Sequence, residues 1–596
     1  MITRDEAAMA PSHHGARAPA PARDDADGSA APTDAKLRHF IRLAGGFWIT
    51  RSAGRAWALV ALNLASLSAA VHTSVLSTRY TKALYDMLAE RALDRLPAVM
   101  ALLAVVLGAS IVQAAVAFSV PTAIALEWRQ WLTGRYVARW LHGRAYYEGQ
   151  RRDLLDNPDQ RIAEDVDAFT HAAVTNAFAM FQVASMGITF GIILWDASGD
   201  GRVTIGPATF QVPGLLLWVT TIWAVLHTAL VIWVGRKLPR LVAAGQRVGA
   251  DFRFKLIQVR RAAEQVALLR GEAAEAAALT DRFSAIRTNV YAQIVQAVRI
   301  AVTNATVGTV EELFLLLLVM PRYLAGGSSL GEMFQAQRSM GQYNGTIAYF
   351  AQSATALQTL RGTIRRLRAF DAMIDAVPVP PASEQPGDAA TMVAVETLSV
   401  ARPGGATLLT LPAWRVERGQ RWLIRGPSGI GKSTLLRALA GIWPEVAGRL
   451  TMPARETTLF MPQTPYLPVG PLRDAITYPS RESVPDAVLR DLLGRVGLAE
   501  RAADLDRAAE WDQHLSPGEQ QRLAFLRPLL LRPALILLDE ATSALDPPNA
   551  RAMYALLLES LPDLTLISIA HSDVLDAFHT HRLVLGGPND AREQAP

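Results

Sequence analysis

Long stretches without a charged residue dominate the first two-thirds of this chain of 596 residues. Four of them contain no Asp, Glu, Lys or Arg, and they cover residues 56–78, 96–126, 168–195 and 213–235. Each is longer than the roughly 20 apolar residues that an α-helix needs to cross a bilayer. Two further stretches, 300–320 and 339–360, continue the pattern, although the last has Gln and Asn on one side. The sequence therefore predicts six transmembrane helices in a lipid bilayer.

Composition and charge agree with a membrane protein. Hydrophobic residues make up 51% of the chain and charged residues 19%, and there is no cysteine, which excludes disulfides, thiol catalysis and cysteine-ligated zinc. Basic residues are concentrated in two loops, with seven Arg in 127–167 and twelve Lys and Arg in 236–299. Because basic loops stay on the cytoplasmic side, both termini are predicted to be cytoplasmic. The net charge of +5 suits a membrane face better than nucleic acid, so no nucleic-acid partner is expected.

Shifts in composition divide the chain into four parts. Residues 1–35 are rich in Ala, Pro and Asp and predict a disordered tail, and residues 36–375 form the predicted membrane domain. A Pro-rich and Ala-rich linker is predicted at 376–390. From 391 to 596, short apolar runs alternate with helical patterns, which is typical of a soluble α/β domain.

A glycine-rich segment follows the apolar run Trp422-Leu423-Ile424 and fits G-x-x-x-x-G-K-[ST]. Its glycines let successive backbone N–H groups turn toward phosphate oxygens, at the positive end of a helix predicted to start near Ser433. Lys432 would then reach the β- and γ-phosphates, and Ser433 would hold Mg²⁺. A chance glycine-rich turn is the alternative for this motif alone. The predicted phosphate-binding residues are Gly426, Pro427, Ser428, Gly429, Ile430, Gly431, Lys432, Ser433 and Thr434.

A second motif is the apolar run 535–538, which ends in Asp539 and Glu540. In a phosphate-transferring site, Asp539 would hold Mg²⁺ and Glu540 would polarise the attacking water. The alternative is a pair of acids that caps a helix. Three further segments share this part of the chain: Leu-Ser-Pro-Gly-Glu-Gln-Gln-Arg at 515–522, Ser-Ala-Leu-Asp at 543–546, and His571 after Ser568-Ile569-Ala570.

Together these motifs resemble the ATP-binding cassette of ABC transporters, in that family's own order. The resemblance implies ATP and Mg²⁺ as cofactors, and it implies two cassettes that close head to tail, most simply in a homodimer. It assigns catalysis to Glu540, His571 and the Q-loop residue Gln463. Metal binding is assigned to Ser433, Gln463 and Asp539. The nucleotide held by one chain would also be contacted by Ser516 and Gly518 of the second chain, and Asp546 is a further predicted nucleotide-binding residue.

Two positions depart from the pattern of that family. Pro517 stands where glycine is usual, and proline has no backbone N–H to donate, so a weakened or altered contact with the partner's nucleotide is expected. Ala401 stands near the position of the aromatic residue that commonly stacks on adenine. Arg402 is the predicted substitute, through its planar guanidinium; an ordinary exposed loop arginine is the alternative.

The membrane half adds a finer resemblance. Residues 157–165, Asn-Pro-Asp-Gln-Arg-Ile-Ala-Glu-Asp, predict a short helix that interrupts a longer one and can dock on the cassette. This segment and residues 264–272 resemble motifs shared by peroxisomal acyl-CoA half-transporters and bacterial SbmA/BacA-like proteins. A generic charged amphipathic helix is the alternative for both. Glu311 and Glu312 lie in the fifth predicted span and point about 100° apart, so they predict either a proton-coupling acid or a structurally paired one.

The predicted fold is that of a multidomain membrane protein, with an all-α six-span exporter-type transmembrane domain followed by an α/β P-loop ABC nucleotide-binding domain. The expected function is ATP-driven transport in a bacterial inner membrane, with uptake of hydrophilic solutes, peptides or cobalamin favoured. Export of lipids or amphipathic drugs is one alternative. A proton-driven permease with a regulatory cassette is another. A soluble ABC ATPase is excluded by the apolar spans.

Overall fold

A computed structural model describes residues 45–50, 53–152, 157–199, 202–205, 208–377, 390–587 and 590–594. The predicted tail, most of the predicted linker and residues 153–156 lie outside these ranges. The chain forms two compact units that divide between Asp375 and Ala376. The first unit is almost entirely helical, and the second is a mixture of helices and strands.

The first unit consists of long helices and one small hairpin. The helices are α1 Ala53–Glu90, α2 Leu96–His142, α3 Ala145–Arg151, α4 Val166–Ala197, α5 Leu215–Gly235, α6 Leu238–Arg261, α7 Ala263–Leu268, α8 Glu272–Leu324 and α9 Leu330–Asp375. The hairpin pairs β1 (Arg202–Ile205) with β2 (Ala208–Gln211) in antiparallel register between α4 and α5.

Five helical stretches of the described chain are long and apolar enough to cross a membrane. They are Ala53–Glu90, Leu93–His142, Pro158–Ala197, Leu215–Arg261 and Glu272–Leu324. The first five predicted spans lie on these five stretches. Each stretch extends well past the apolar core of a bilayer, because 38 residues or more of helix exceed the ~20 needed to cross it.

The sixth predicted span lies on α9, which has 46 residues but does not belong to the apolar five. Polar side chains on α9 are buried against other helices, including Ser339, Asn344 and Thr363. The helix packs on α1, α4 and α5. Length and apolarity alone therefore identify five spans and leave out α9. A helix surrounded by other helices, such as α9, can carry polar groups that lipid would not tolerate.

The segment 157–165 joins α4 to α9. Asn157 has a left-handed backbone (φ 52°), and residues 158–160 form one helical turn before a π-helical turn at Arg161–Asp165 leads into α4. The side chain of Asn157 makes no capping hydrogen bond at the start of this helix. Asp165 is buried and pairs with Arg161 at 2.8 Å and with Arg366 of α9 at 2.6 Å. Because Asp165 belongs to the turn that leads into α4 and Arg366 belongs to α9, their ion pair holds α9 against the start of α4.

The second unit contains two sheets. Its strands are β3 Thr391–Ala401, β4 Thr407–Leu411, β5 Trp414–Glu417, β6 Arg421–Arg425, β7 Val446–Thr451, β8 Thr458–Met461, β9 Gly470–Pro471, β10 Ala508–Ala509, β11 Leu535–Asp539, β12 Thr565–Ile569, β13 His581–Gly587 and β14 Asp590–Gln594. Its helices are α10 Lys432–Leu439, α11 Leu472–Thr477, α12 Asp486–Arg495, α13 Trp511–His514, α14 Pro517–Ala524, α15 Leu526–Leu531 and α16 Pro547–Ser560.

The larger sheet has the strand order β14-β13-β6-β12-β11-β8, and all its pairings are parallel except that of β14 with β13. Strands β11 and β12 are buried along their whole length, as expected for a parallel sheet covered on both faces. The smaller, antiparallel sheet places β3 beside β4, β5 and β7. Because β6, β8, β11 and β12 run in the same direction, the residues that follow them lie along one edge of the sheet.

A chain of buried hydrogen bonds connects β12 to the middle of α16 and to the segment that leads into β13. The Tyr554 hydroxyl donates to Ser568 Oγ at 3.2 Å, and Ser568 Oγ lies 3.0 Å from His579 Nε2. His579 Nδ1 lies 2.8 Å from the carbonyl of Leu575, so it is the nitrogen that carries the proton. Burial lowers the pKa of His579 to about 4, although the Leu575 carbonyl and the charge of Asp576 oppose this shift.

We expect the second unit to lose stability in mild acid because of His579. The folded protein keeps His579 neutral down to about pH 4, whereas the ordinary pKa is 6.5, so the unfolded chain binds a proton first as the pH falls. Stability is complete above pH 6.5 and is lost toward pH 4, by about 2 kcal/mol at pH 5. Thermal unfolding of the full chain in detergent should show this domain melting roughly 4–8 °C lower at pH 5 than at pH 7. In His579→Gln the same change of pH should lower the melting temperature less; an equal decrease would contradict the assignment.

Candidate functional site

The phosphate-binding loop joins β6 to α10. Gly431 precedes the helix with φ 105°, a left-handed conformation that side chains rarely adopt, and a Cβ at this position would lie 3.1 Å from Leu409. Lys432 is buried, and its Nζ donates to the carbonyls of Gly426 at 2.8 Å and Pro427 at 3.0 Å. Burial lowers the pKa of Lys432. A phosphate oxygen would offset this loss of hydration, so the loop suits an anionic group.

Ser433 and Asp539 form a pair at the sheet edge. The Ser433 hydroxyl donates to Asp539 Oδ1 at 2.8 Å. Burial raises the pKa of Asp539, even though the Ser433 hydrogen bond and Arg437 favour its ionised form. A divalent cation would stabilise this buried carboxylate, and hydroxyl and carboxylate oxygens are the ligands that Mg²⁺ prefers. No group of three His, Asp or Glu side chains forms a complete metal site in the described ranges. Phosphate and water oxygens would therefore have to complete the coordination shell.

Three predicted catalytic residues meet at Glu540. Gln463 Nε2 donates to Glu540 Oε2 at 3.1 Å, and His571 Nε2 lies 3.0 Å from Glu540 Oε1. Glu540 has a left-handed backbone (φ 51°), which is uncommon for a residue with a side chain. Its N–H is held by the carbonyl of Ile569 at 3.1 Å. Three loops that follow β8, β11 and β12 thus place a carboxylate between an amide and an imidazole.

An open cavity of about 450 Å³ lies beside the loop. Its lining residues are Arg402, Ala406, Thr407, Leu408, Pro427, Ser428, Gly429 and Ile430. No aromatic ring is among them. The carbonyl of Ala401 accepts a hydrogen bond from the Trp443 indole at 2.9 Å, and Trp443 is absent from the lining. Arg402 is the lining residue with a planar charged group, and its contact with a base stays a prediction.

Residues 515–522, here called the signature segment, contain the start of α14. Ser516 caps this helix in a capping box: its Oγ accepts from the Glu519 N–H, and the Glu519 carboxylate accepts from the Ser516 N–H at 2.8 Å. Hydrogen bonds from Ser516 lower the pKa of Glu519, although burial opposes them, and Arg501 pairs with Glu519 at 3.2 Å. Pro517 occupies the first position of the helix, where an N–H would have no helical partner. Within this chain, its missing donor therefore costs the helix nothing.

Gly518 and Asp546 have local roles in the same chain. A Cβ at Gly518 would lie 3.1 Å from the carbonyl oxygen of Ala544, so glycine allows α14 to approach the segment 543–546 closely. The Asp546 side chain caps α16 by accepting from the N–H of Asn549 at 2.9 Å. In the described part of the chain, Ser516 hydrogen-bonds only with residues of α14. The structure does not bring it to the loop of its own chain.

Sequence reasoning missed two residues that hold this edge together. Arg425 donates to the carbonyl of His571 at 3.0 Å and pairs with Asp576 at 2.5 Å, which places the His571 loop against β6. Gln521 is buried and hydrogen-bonds with Gln463, Ser543 and Ala544. The sequence offered two signals: a basic residue at the end of β6 and a glutamine within the signature segment. Their partners are 22 to 151 residues distant, so the sequence could not name them.

A second group of polar residues lies in the helical unit. Glu311 of α8 is buried and accepts from Trp223 Nε1 at 3.1 Å and from Asn344 Nδ2 at 2.5 Å. His227 Nδ1 lies 3.4 Å from Glu311 Oε2. Glu312 is exposed, so the two neighbouring acids point in different directions, as predicted. Helices α5, α8 and α9 are therefore linked through one carboxylate.

Comparisons with known proteins match both units of the chain. Residues 47–322 match the family "ABC transporter transmembrane region 2", and residues 410–543 match the family "ABC transporter". An uncharacterized ABC transporter ATP-binding protein of Haemophilus influenzae is 30% identical over 550 residues, which are 92% of each chain. The human lysosomal cobalamin transporter ABCD4 is 28% identical over 506 residues, which are 78% of this chain and 80% of that one.

A solved structure gives independent support for the fold. A bacterial Atm1-family ABC exporter with ATP bound aligns with a TM-score of 0.71 at 17% identity, over 92% of this chain and 96% of that chain. This likeness shows the fold alone, and it confirms the predicted exporter-type helical domain followed by an α/β cassette. The matches to a subfamily D transporter and to bacterial ABC proteins confirm the resemblance read from the motifs. The chain belongs to the ABC transporters, as a multi-pass membrane protein that joins a transmembrane region to an ATP-binding domain.

Proposed function

We propose that this ABC transporter hydrolyses ATP at a site built around Glu540 and uses the reaction to move a hydrophilic solute across a bacterial inner membrane. The observation that carries the proposal is the meeting of Glu540 with Gln463 and His571, on the sheet edge that also places Lys432, Ser433 and Asp539. A nucleotide-binding regulatory domain without turnover would need only the phosphate loop. The additional carboxylate, amide and imidazole suit a reaction at the γ-phosphate.

Each residue has a distinct role in the proposed reaction. Lys432 and the N–H groups of its loop hold the phosphates, and Arg402 packs on the base. Ser433 and Asp539, with the side-chain oxygen of Gln463, would hold Mg²⁺, which neutralises charge on the phosphate oxygens when bound. Glu540 accepts a hydrogen bond from the attacking water and raises its nucleophilicity. His571 and Gln463 keep the Glu540 carboxylate in place.

We propose a homodimer as the working form. Ser516 and Gly518 belong to the ATP-binding motifs of the family, yet Ser516 hydrogen-bonds with Glu519 of α14 and Gly518 lies against the segment 543–546. Within residues 390–587, which the structure describes, neither makes a hydrogen bond to the phosphate loop. A second copy arranged head to tail would supply them to the γ-phosphate. Because Arg501 pairs with Glu519, the acidic group beside Ser516 is partly neutralised toward that phosphate.

Uptake is the proposed direction, with both termini in the cytoplasm. The human relative that is named a cobalamin transporter and the polar residues buried along α9 both favour a hydrophilic solute.

We expect Glu540→Gln to retain ATP binding and to lose steady-state hydrolysis by about 100-fold or more, because the amide cannot accept the proton of the attacking water. Phosphate release by the purified full chain in lipid nanodiscs measures the rate, and retention of labelled ATP measures binding. Glu559→Gln, an exposed acid on α16, is the matched control and should leave both unchanged. Undiminished hydrolysis by Glu540→Gln would refute the assigned role of Glu540.

Proteoliposomes preloaded with labelled cobalamin test direction. ATP added outside reaches only the chains whose cassettes face outward, and an importer moves its solute toward the cassette side. We therefore expect ATP-dependent release of cobalamin from the vesicles, and none with Glu540→Gln. ATP-dependent accumulation of externally added cobalamin would instead indicate export. Movement in neither direction would remove cobalamin from the proposed substrates.

Glu311 supports a second candidate function, proton-driven transport regulated by the cassette. In the described chain no Lys or Arg pairs with this buried acid, and its contacts are the amide of Asn344, the indole of Trp223 and the imidazole of His227. An ionised carboxylate is costly among membrane helices without a basic partner. A proton shared between Glu311 and His227 would remove this cost.

If protons drive transport through Glu311, solute movement should collapse with an uncoupler and should fall at least about tenfold in Glu311→Gln, while ATP hydrolysis stays within about twofold. Glu312→Gln is the matched control, since its carboxylate is exposed one residue further along α8. Lys432→Ala tests the role of the cassette in parallel. Transport that persists with an uncoupler but stops in Lys432→Ala would rule out this second candidate.

A further inference from the structure

Gln521 connects three segments that are far apart in the sequence. It lies on α14 one turn after Gly518, and it is 3% exposed. Its Nε2 donates to the carbonyl of Gln463 at 2.9 Å and to Ser543 Oγ at 3.2 Å. Its Oε1 accepts from the N–H of Ala544 at 2.9 Å. The side-chain amide of Gln521 therefore connects three segments: α14, here called the signature helix, the loop after β8 and the loop after β11.

The close packing around Gln521 makes this junction rigid. Because a Cβ at Gly518 would lie 3.1 Å from the Ala544 carbonyl oxygen, α14 rests directly on the backbone of the loop after β11. Rotating the buried amide away would leave the carbonyl of Gln463 and the N–H of Ala544 without their partner. Unpaired buried polar groups are costly, so these three segments are expected to move together.

Gln521 is connected to the proposed catalytic carboxylate of Glu540 through one intervening residue, Gln463. Gln521 holds the backbone of Gln463, and the Gln463 side chain donates to Glu540 Oε2 at 3.1 Å. Gln521 itself has no hydrogen bond with Glu540, Lys432 or Ser433 in the described chain. It can therefore influence hydrolysis only through the residues that it holds.

We propose that Gln521 is a positioning residue that makes the geometry of the Gln463–Glu540 pair depend on the signature helix of the same chain. The inference rests on the proposed function, because in a head-to-tail dimer this helix contacts the nucleotide of the partner. Occupation of one nucleotide site then affects the catalytic residues of the other, through α14, Gln521 and Gln463. This is a coupling between two sites by a contiguous set of hydrogen bonds.

The neighbouring residue provides a matched control. Gln520 is also a buried glutamine on α14, at 8% exposure. Its Nε2 donates to the carbonyls of Asp512 and Leu515, at 2.8 and 2.9 Å, both in the segment that leads into the same helix. Gln520→Ala and Gln521→Ala each remove two donated hydrogen bonds from one helix. Only Gln521→Ala releases the loop that carries Gln463.

The first experiment compares ATP hydrolysis by the two variants in the full-length protein. We expect Gln521→Ala to lower kcat about 10- to 100-fold, as displacement of a catalytic group does, with KM and the affinity for ATP within about twofold. Gln520→Ala should keep kcat within about threefold, even where its melting temperature falls. Equal kcat values for the two variants would overturn the proposal. A wild-type protein that does not hydrolyse ATP would refute the proposed function instead.

A second substitution isolates the donated hydrogen bond. In Gln521→Glu the carboxylate can still accept from the N–H of Ala544, but it cannot donate to the carbonyl of Gln463. We expect kcat to fall as far as in Gln521→Ala, again with little change in KM. Wild-type kcat in Gln521→Glu would show that the contact with Gln463 does not position the catalytic pair, and would overturn the proposal.

Mixed dimers test which site Gln521 serves. When one of two differently tagged chains carries Glu540→Gln, only the other chain hydrolyses ATP. Gln521→Ala on the hydrolysing chain should slow turnover about 10- to 100-fold. On the inactive chain, Gln521→Ala should slow turnover less than about threefold, because Glu519 of that chain still holds Ser516 in place. Equal loss in both arrangements would overturn the proposal.

The same dimers test the coupling. Ser516→Ala on the hydrolysing chain alters only the nucleotide site of the inactive partner, so coupling predicts a slower reaction at the distant intact site. Adding Gln521→Ala to that chain should then give no further additive loss, since both changes act along one path. Fully additive losses, or no effect of Ser516→Ala in this arrangement, would refute the coupling.

Discussion

The parallel pairing of β6, β12, β11 and β8 is the constraint on which the nucleotide site depends. Each strand ends at the same edge and delivers one loop there: the phosphate loop, His571, the Asp539–Glu540 pair and Gln463. The register places Asp539 opposite Ile569, and the N–H of Glu540 is held by the Ile569 carbonyl, so strand pairing directly sets the position of Glu540, the proposed catalytic residue. A slip of one residue would turn these side chains to the other face.

The helical unit depends on a different balance, between apolar surface toward lipid and polar contacts between helices. Asp165 pairs with Arg161 and Arg366, and Glu311 accepts hydrogen bonds from Trp223 and Asn344; both carboxylates are buried. Both groups involve α9. A helix with protein on several sides can be polar where a lipid-facing helix cannot, which explains how the polar helix α9 packs among more apolar helices.

Local sequence predicted much of the site because phosphate-binding chemistry is local. The glycines of the loop, Lys432 and Ser433 are contiguous, and the apolar strand before Asp539 and Glu540 is visible in the chain. The effect of Pro517 on its own helix was harder to predict. It depends on where the helix starts, because the first position of a helix needs no N–H. Arg425 and Gln521 could not be found, since each acts on backbone atoms of loops that are distant in sequence.

The sequence by itself determined the two-part architecture, the first five spans and the residues of the proposed phosphate-binding loop, because hydrophobic runs and glycine-rich loops follow from short-range physics. Only the tertiary structure decided that α9 buries its polar side chains, that Glu311 rather than Glu312 faces other helices, and that one amide at Gln521 joins the signature helix to the loop of Gln463. Those outcomes depend on which helices and loops pack together. Packing is set by the whole chain, so no local pattern encodes it.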